Sequence, residues 1–434
     1  MKKLLGNRSF ARLWVAGLLQ ETAEWMLQVA LPVFVYQATG SASSAAVAMV
    51  TGVVPMVILS PVAGVLADRW DRRRLLWGVC IAQGLVAAPL LTIDGGAPTM
   101  IYLVMAAQSG LAALFEPTRN ALVPALVSTD LLTAANGLMG FNSSVSRLIG
   151  SSLGGVILGF GGLSWVVGVY TIALLSATLL LLPRFDPATV QAIAMPEKQP
   201  MFRDWLDGLA EFRRQRTLRL TGVTLALAAL AQGMFLVLFV VFVTGPLHGG
   251  EAEVGLLRGV QAVGGLAAGI LIATLLRRAA PVAVMGGGAL ALGLASVVIW
   301  NLPHLTTVHW IYFVLFSALG APAALNSTGA ITVMQTAAAP NRTGRVLATT
   351  FAVIAGFQAI GMLAAGALVS AWKLGWLLNL QATLIIIAGL TALIGLRSSR
   401  VTASQDRDLE SRPAQAGISR GGERPGSNKS SDVA

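Results

Sequence analysis

The chain has 434 residues, 55% hydrophobic and 11% charged, where soluble domains carry roughly 25% charged residues; its mean hydropathy is +0.74. This excludes an ordinary water-solvated domain and makes lipid the expected solvent. A net charge of +11 would point to nucleic acid in a soluble protein, but the cations here sit in alternate loops, so the expected partner is the bilayer and not nucleic acid.

Residues Met1 to Phe10 are basic. The apolar stretch after them is long, is interrupted by Glu21 and Glu24 and has no small-residue cleavage site, so it reads as a first spanner that stays. A spanning helix needs about 20 mostly apolar residues, and about twelve segments meet that need. They are 10–36, 43–66, 75–93, 98–117, 133–159, 162–182, 218–244, 252–276, 281–301, 308–330, 343–371 and 374–396. An even number puts both termini on one side. Lys2, Lys3, Arg8 and Arg12 precede the first segment, Arg69 and Arg72 to Arg74 follow the second, and Arg119 follows the fourth. Arg277 and Arg278 follow the eighth, and Arg342 and Arg345 follow the tenth. The opposite loops carry only Lys373, with Asp94, Glu251 and Glu253, so the positive-inside rule makes both termini cytoplasmic in a bacterial-type plasma (inner) membrane. Trp165, Trp300, Trp310, Trp372 and Trp376 fall at expected outer helix ends, where aromatic anchors belong.

The organisation follows: an N-terminal six-helix half (1–182), a cytoplasmic central loop (183–217), a C-terminal six-helix half (218–397) and a disordered cytoplasmic tail (398–434). Within the central loop, Phe202, Trp205, Leu209 and Phe212 recur at helical spacing beside Asp204, Asp207, Arg213 and Arg214, as in a helix lying on the membrane surface. Gly150 and Gly155 in the fifth segment are echoed by Gly361 and Gly366 in the eleventh, each pair five apart and each after a loop containing a proline, Pro124 or Pro340. Such an echo is expected of a membrane fold built from internal repeats.

The most informative stretch is the short charged turn after the second segment, Gly64-x-Leu66-Ala67-Asp68-Arg69-x-Asp71-Arg72-Arg73. It resembles without gaps the loop signature of the major facilitator superfamily of secondary transporters. Gly137, Ser146, Gly150, Gly154 and Gly155 are similar to the fifth-helix signature of drug antiporters, with Ser146 at a glycine position and Ser151 at the proline position. Phe115-Glu116-Pro117, Val123-Pro124 and Pro340 to Arg345 look like the branch of macrolide-efflux-like and enterobactin-exporter-like proteins. The resemblance spans about residues 8 to 397. It implies an all-α integral membrane protein with the major facilitator fold. It also implies that Asp68 faces the start of the eleventh helix near Gly344 and Arg345, a charge–dipole attraction of roughly 0.3–2 kcal/mol that latches the halves. Gly64, Asp68, Arg69, Asp71, Arg72 and Arg73 are then gate residues. The competing reading is that the arginines only fix orientation. For the glycines of the fifth helix it is ordinary close packing.

Ionisable groups inside spanners are costly and mark ion or substrate paths. Glu21, Glu24 and Gln28 project from one face of the first helix above Gly17, and two carboxylates within a turn cannot both ionise cheaply in a low dielectric. Arg147 and Glu24 each lie about 14 residues, or about 21 Å, from their cytoplasmic ends, so they are expected to meet near the midplane. Glu24, Glu21 and Arg147 are therefore the proton-coupling candidates, against a permanent buried ion pair. Arg258 is expected to snorkel toward Glu251 or Glu253. Gln28, Asn142, Gln232, Gln261, Asn326 and Gln358 are cavity candidates, each with an interhelical hydrogen bond as the plainer role, and Gln335 belongs with them.

His248, His304 and His309 have no ligand-like spacing, the single Cys80 permits no disulfide within the chain, and no G-x-x-x-x-G-K-[ST] is present. No enzyme chemistry, metal or cofactor is expected; the energy source is a proton gradient. The expected function is monomeric, proton-coupled export of amphipathic small molecules by alternating access. The alternatives are a lysolipid or siderophore transporter of the same fold, or a facilitator-fold sensor or scaffold that no longer transports.

Overall fold

The computed structural model describes residues 6–59, 70–92, 98–128, 131–183, 216–274, 279–337 and 343–395. They are helical almost throughout. In chain order the helices are α1 (Arg8–Thr39), α2 (Ala42–Leu59), α3 (Arg72–Ala87), α4 (Pro98–Leu126) and a run Leu132–Leu181 that breaks at Gly162, where φ is +71°, into α5 (132–161) and α6 (163–181). The second half repeats the plan with α7 (Arg216–Thr244), α8 (Glu251–Thr274), α9 (Pro281–Asn301), α10 (His309–Ala337), α11 (Thr343–Leu368) and α12 (Leu374–Leu390). With the run through Gly162 taken once, nine helical runs among the described residues are long and apolar enough to cross a bilayer. The chain is thus an all-α, multi-pass membrane protein. Most described helix ends fall within a few residues of the expected segments; α4 and α10 run on past theirs, to Leu126 and Ala337, and the expected end of the second segment at 66 lies outside the described residues.

Local chemistry sets the ends. The Asn7 side chain accepts from the amides of Ser9 and Phe10 to cap α1, and Asp71 accepts from the Arg74 amide at 2.8 Å to cap α3. Asn7 also donates to the Leu126 carbonyl at 2.7 Å, which ties the start of α1 to the end of α4. These groups, with Arg8, Arg12 and Arg72 to Arg74, define a basic face. At the opposite face Gly40, with φ +63°, ends α1, and Ser41 caps α2 one residue later. Trp165, Trp310, Trp372 and Trp376 are more than half exposed, as anchors at that face should be. Trp300 is not an anchor. It is 4% exposed, donates from its indole to Gln381 Oε1 at 3.0 Å and packs edge-on to Phe242, because α9 sits inside the C-terminal half at that level.

The two glycine pairs have equivalent roles. A Cβ on Gly150 would collide with the Thr22 carbonyl of α1, and one on Gly361 with the Leu230 carbonyl of α7. Gly155 meets the backbone of α8 at Glu251 and Gly255; Gly366 meets Ala42, Ser43 and Ala46 of α2. Exchanging α1 with α7, α2 with α8 and α5 with α11 turns one set of contacts into the other. The first glycine of each pair closes its own half, and the second joins that half to its partner near the opposite face. Backbone approach of this kind needs small residues. Gly150→Leu is accordingly expected to lower the thermal midpoint of the purified protein, since overpacking against an immovable backbone lies at the upper end of about 1–3 kcal/mol. Gly140→Leu, with no atom within 4 Å of its Cβ position, is expected to leave it unchanged; equal shifts in a melting comparison would remove the special role of Gly150.

Helix α4 continues past the expected end at residue 117 to Leu126, through Pro117 and Pro124. The Arg119 side chain is therefore not in a loop. It is 2% exposed inside the bundle. Proline inside a membrane helix is tolerated where neighbouring groups take up the freed carbonyls, and Thr118 Oγ1 donates to the Leu114 carbonyl at 2.6 Å beside that break.

Candidate functional site

Three helices bring charge together in the N-terminal half. Arg119 of α4 forms an ion pair with Glu21 of α1, and Ser143 of α5 donates to the same carboxylate oxygen at 3.2 Å. Side chains lean toward the N-terminus of their own helix; α1 and α4 run in opposite directions, so the two lean toward each other. Gly17 makes the room, since a Cβ there would lie 3.1 Å from Arg119 Cδ and 3.3 Å from the Asn142 amide nitrogen. The pair is enclosed, with side-chain exposures of 2% for Arg119 and 13% for Glu21. Sequence reasoning missed Arg119 because Pro117 read as the end of the helix.

Glu24 has different surroundings. Gln20 donates to it at 3.2 Å and also reaches Gln83 of α3 at 3.3 Å; Gln108 of α4 donates to the Gln83 carbonyl at 2.7 Å, and Tyr170 of α6 donates to Gln108 at 2.9 Å. These groups border a narrow recess with about 40 Å³ of free space, lined also by Gln28, Met56, Met105 and Leu31. Among the described residues no cation lines it. The chain of glutamines and the tyrosine was legible only as isolated polar residues in apolar helices, because nothing in the spacing says that α3, α4 and α6 converge on α1 at one level.

Arg147 does not meet Glu24. Thr22, Trp25 and Met26 are the α1 residues against Gly150 and Gly154 of α5. Glu24 is two residues from both Thr22 and Met26, or about 200° around the helix, and so points away from α5. The Arg147 guanidinium lies over the Trp25 ring, 6.0 Å from its centroid, and reaches to 3.3 Å from the Cβ position of Gly265 on α8. Arg258 does not snorkel to an acid either. Its guanidinium lies over Phe235 of α7 at 5.5 Å, while Glu253 turns back to accept from the Gly250 amide.

Of the gate residues, Gly64, Asp68 and Arg69 lie outside the described residues, as do Pro340 to Arg342, residues 202–212 of the central loop and the tail 398–434. Asp71 caps α3, Arg72 donates to the Ala121 carbonyl at 3.1 Å and Arg73 to the Leu182 carbonyl, so this end of α3 is clamped to α4 and α6 of its own half. Gly137 lies on the helical backbone of α5, with its surroundings outside the description, and Gly154 packs on Met26 of α1. Among the cavity candidates, Gln28 lines the recess with Glu24, and Asn142 donates to the Trp14 carbonyl at 3.3 Å, an interhelical bond. Gln261 bonds within its own helix to Leu257, Asn326 keeps a buried Oδ1 without a partner, and the Gln358 carbonyl abuts Gly233. Gln232 is partly buried; the side chain of Gln335 is outside the description.

Two halves of membrane helices with matching glycine contacts, and an ion pair enclosed within the N-terminal one, are the plan of a membrane transporter. The profile of the Major Facilitator Superfamily matches residues 13–357, and the chain belongs to that family. Its relatives include the multidrug efflux pump Tap of Mycobacterium tuberculosis, 28% identical over 409 residues covering 91% of this chain and 93% of that one, and Tap of Mycolicibacterium fortuitum, 25% identical over 404 residues covering 89% and 93%. The macrolide efflux protein A of Streptococcus pyogenes is 24% identical over 217 residues, 48% of this chain and 52% of that one. Among solved structures, the POT family transporter PepTSo superposes with a TM-score of 0.72 at 11% identity, covering 91% of this chain and 99% of that one. A bacterial homologue of the iron transporter ferroportin in an inward-facing state gives 0.69 at 15%, covering 90% and 99%. The protein is a multi-pass membrane transporter of small molecules with the major facilitator fold.

Proposed function

We propose that the protein exports amphipathic small molecules across a bacterial inner membrane with its basic face cytoplasmic, driven by proton entry through Glu24. The observation that carries the coupling is the contrast between the two acids of α1. Glu21 is neutralised by Arg119, whereas Glu24 faces a recess that no cation lines among the described residues. A carboxylate in such a place is costly unless protonated, so its charge changes as a proton comes and goes, and the change is felt by Gln20 and Gln83 on neighbouring helices. Glu21 with Arg119 then serves as the fixed pair that sets α1 against α4, and Arg147 leaves the proton path. The apolar lining beside Glu24, with Leu31, Met56 and Met105, suits cargo with a hydrophobic body, methionine being adaptable to varied shapes. The relatives named as efflux pumps support the outward direction.

The test is transport in everted vesicles, with a dye or macrolide followed together with an internal pH probe. Uptake into the vesicle accompanied by proton efflux is expected; uptake indifferent to the proton gradient would remove the coupling, and no uptake of any compound would remove the export reading. Orientation is checked separately. A reporter fused after Ala434 is expected to be active in the cytoplasm and one inserted at Gly249 outside it, and the reverse pair of signals would invert the assignment of the basic face.

A further inference from the structure

Gln20 stands one turn before Glu24 on α1, and its amide nitrogen serves two acceptors at once. It donates to Glu24 Oε2 at 3.2 Å and to Gln83 Oε1 of α3 at 3.3 Å. Both glutamines are 1% exposed. Among the described residues no other side chain hydrogen-bonds Glu24, and Gln20 Oε1 is buried without a donor. Gln83 borders the recess beside Glu24. Its backbone carbonyl is held by Gln108, which is in turn held by Tyr170, so α3 is fixed here and the Gln83 side chain is what remains to turn.

An amide that uses both N–H bonds and strands its oxygen suits an ionised carboxylate, which can only accept. A protonated carboxyl instead has an O–H to place, and a buried donor left unplaced is costly. A free acceptor is at hand in Gln20 Oε1, the other end of the amide already bonded to Glu24. The terminal torsion of glutamine is broad and nearly two-fold, so half a turn exchanges oxygen for nitrogen and keeps the shape. The oxygen then lies where the nitrogen was, with two lone pairs for two donors: the Glu24 hydroxyl and, once Gln83 has turned likewise, the Gln83 amide. Each arrangement makes two hydrogen bonds and strands one end of Gln20. Neither is favoured by count, so the proton decides between them.

We infer that Gln20 is the positioning residue through which Glu24 signals its protonation to α3: gain of a proton reverses the Gln20 amide and then that of Gln83, so the wall that Gln83 gives the recess changes from hydrogen-bond donor to acceptor. This deepens the export reading above and rests on it. The proton stays on Glu24. A cargo oxygen, carbonyl or ether, is held while Glu24 is ionised and let go when it is protonated, the opposed affinities that exchange of cargo for proton requires. Other ionisable groups on the surrounding helices are engaged or stand aside. Glu21 and Arg119 hold each other, Arg147 and Arg258 lie over Trp25 and Phe235, and the Tyr170 hydroxyl donates to Gln108. Glu116 of α4 is exposed, Cys80 of α3 is a buried thiol, and Glu251 and Glu253 belong to the first turn of α8.

Infrared difference spectra between acidic and alkaline pH, taken on the full chain in nanodiscs with glutamine isotopically labelled at its side-chain carbonyl, test this. The parent is expected to show a carboxylic acid band, absent from Glu24→Gln, together with isotope-sensitive amide bands. The part of the amide signal that Gln83→Met removes belongs to Gln83. Gln20→Met, similar in length and without an amide, is expected to keep the carboxylic band and to lose that Gln83 signal as well as its own. A packing role for Gln20 would leave the Gln83 signal in place. A carboxylic band without amide bands in the parent, a Gln83 signal that survives in Gln20→Met, or no Glu24 band at all overturns the inference. Should Gln20→Met fail to fold, the parent and Gln83→Met decide, since amide bands indifferent to Gln83→Met also overturn it. Vesicle transport separates the two readings. Proton-linked export without amide reversal would leave the export reading standing and sink this one; amide reversal in a protein whose transport ignores the proton gradient would do the opposite.

Discussion

Glu24→Gln is expected to abolish uphill transport on a proton gradient while cargo binding and passive exchange persist. Glutamine has the shape of the protonated acid and can still accept from Gln20, whose amide lies 3.2 Å from the Glu24 carboxylate, so the bridge to Gln83 survives. It cannot release a proton, so the recess stays in one charge state throughout the cycle. Exchange of labelled cargo between the two sides needs only the conformational change, and is expected to continue at a rate comparable with the parent. Counterflow and gradient-driven uptake, measured on the same vesicle preparation, separate these steps. Gradient-driven uptake at the parental rate in the variant would rule Glu24 out as the coupling residue.

The second large effect concerns the buried pair. Arg119→Leu leaves Glu21 enclosed and without its cation, and breaking a buried pair by removing one partner costs about 3–5 kcal/mol. The single variant is expected to express poorly and to melt well below the parent. Replacing both, Glu21→Leu with Arg119→Leu, removes two desolvation costs along with the attraction, and recovery of most of the lost melting temperature is expected. Ser143, which donates to the same carboxylate, then loses one acceptor at modest cost. A double variant no better than Arg119→Leu alone would mean that Arg119 is held by something other than Glu21. Transport by the rescued double variant is the sharper reading, since a fixed structural pair predicts activity and a proton carrier predicts none.

The helical plan was legible because apolar runs of the right length, punctuated by basic turns, are a direct consequence of lipid solvation. The glycine echo was legible too, since contact between backbones leaves a mark at a fixed register: Gly150 and Gly361 each press on the first helix of their own half, and Gly155 and Gly366 each on the second helix of the other. What sequence did not give was azimuth. Counting residues placed Glu24 and Arg147 at one depth, but depth says nothing of which way a side chain points around its helix, and the faces of α1 and α5 are fixed by contacts far apart in the chain. The same gap hid the partner of Glu21. Hydropathy marks where a helix leaves lipid and not where it stops being a helix, so the continuation of α4 through Pro117, and with it the burial of Arg119, could not be read from composition.

The seal near the opposite face is made by backbone. Gly155 against Gly255 on one side and Gly366 against Ala42 and Ala46 on the other leave only small side chains at the contact, and the polar tie there among the described residues is the Ser43 hydroxyl donating to the Gly366 carbonyl at 2.6 Å. Contact at this range leaves no room for a file of water, so the barrier is expected to be tight to protons, as the proton coupling proposed above requires. The main-chain amides there are already bonded within their own helices. Parting the surfaces therefore strands few donors and breaks no ion pair among the described residues. The barrier resists leakage by proximity, and it opens against dispersion forces and one hydrogen bond.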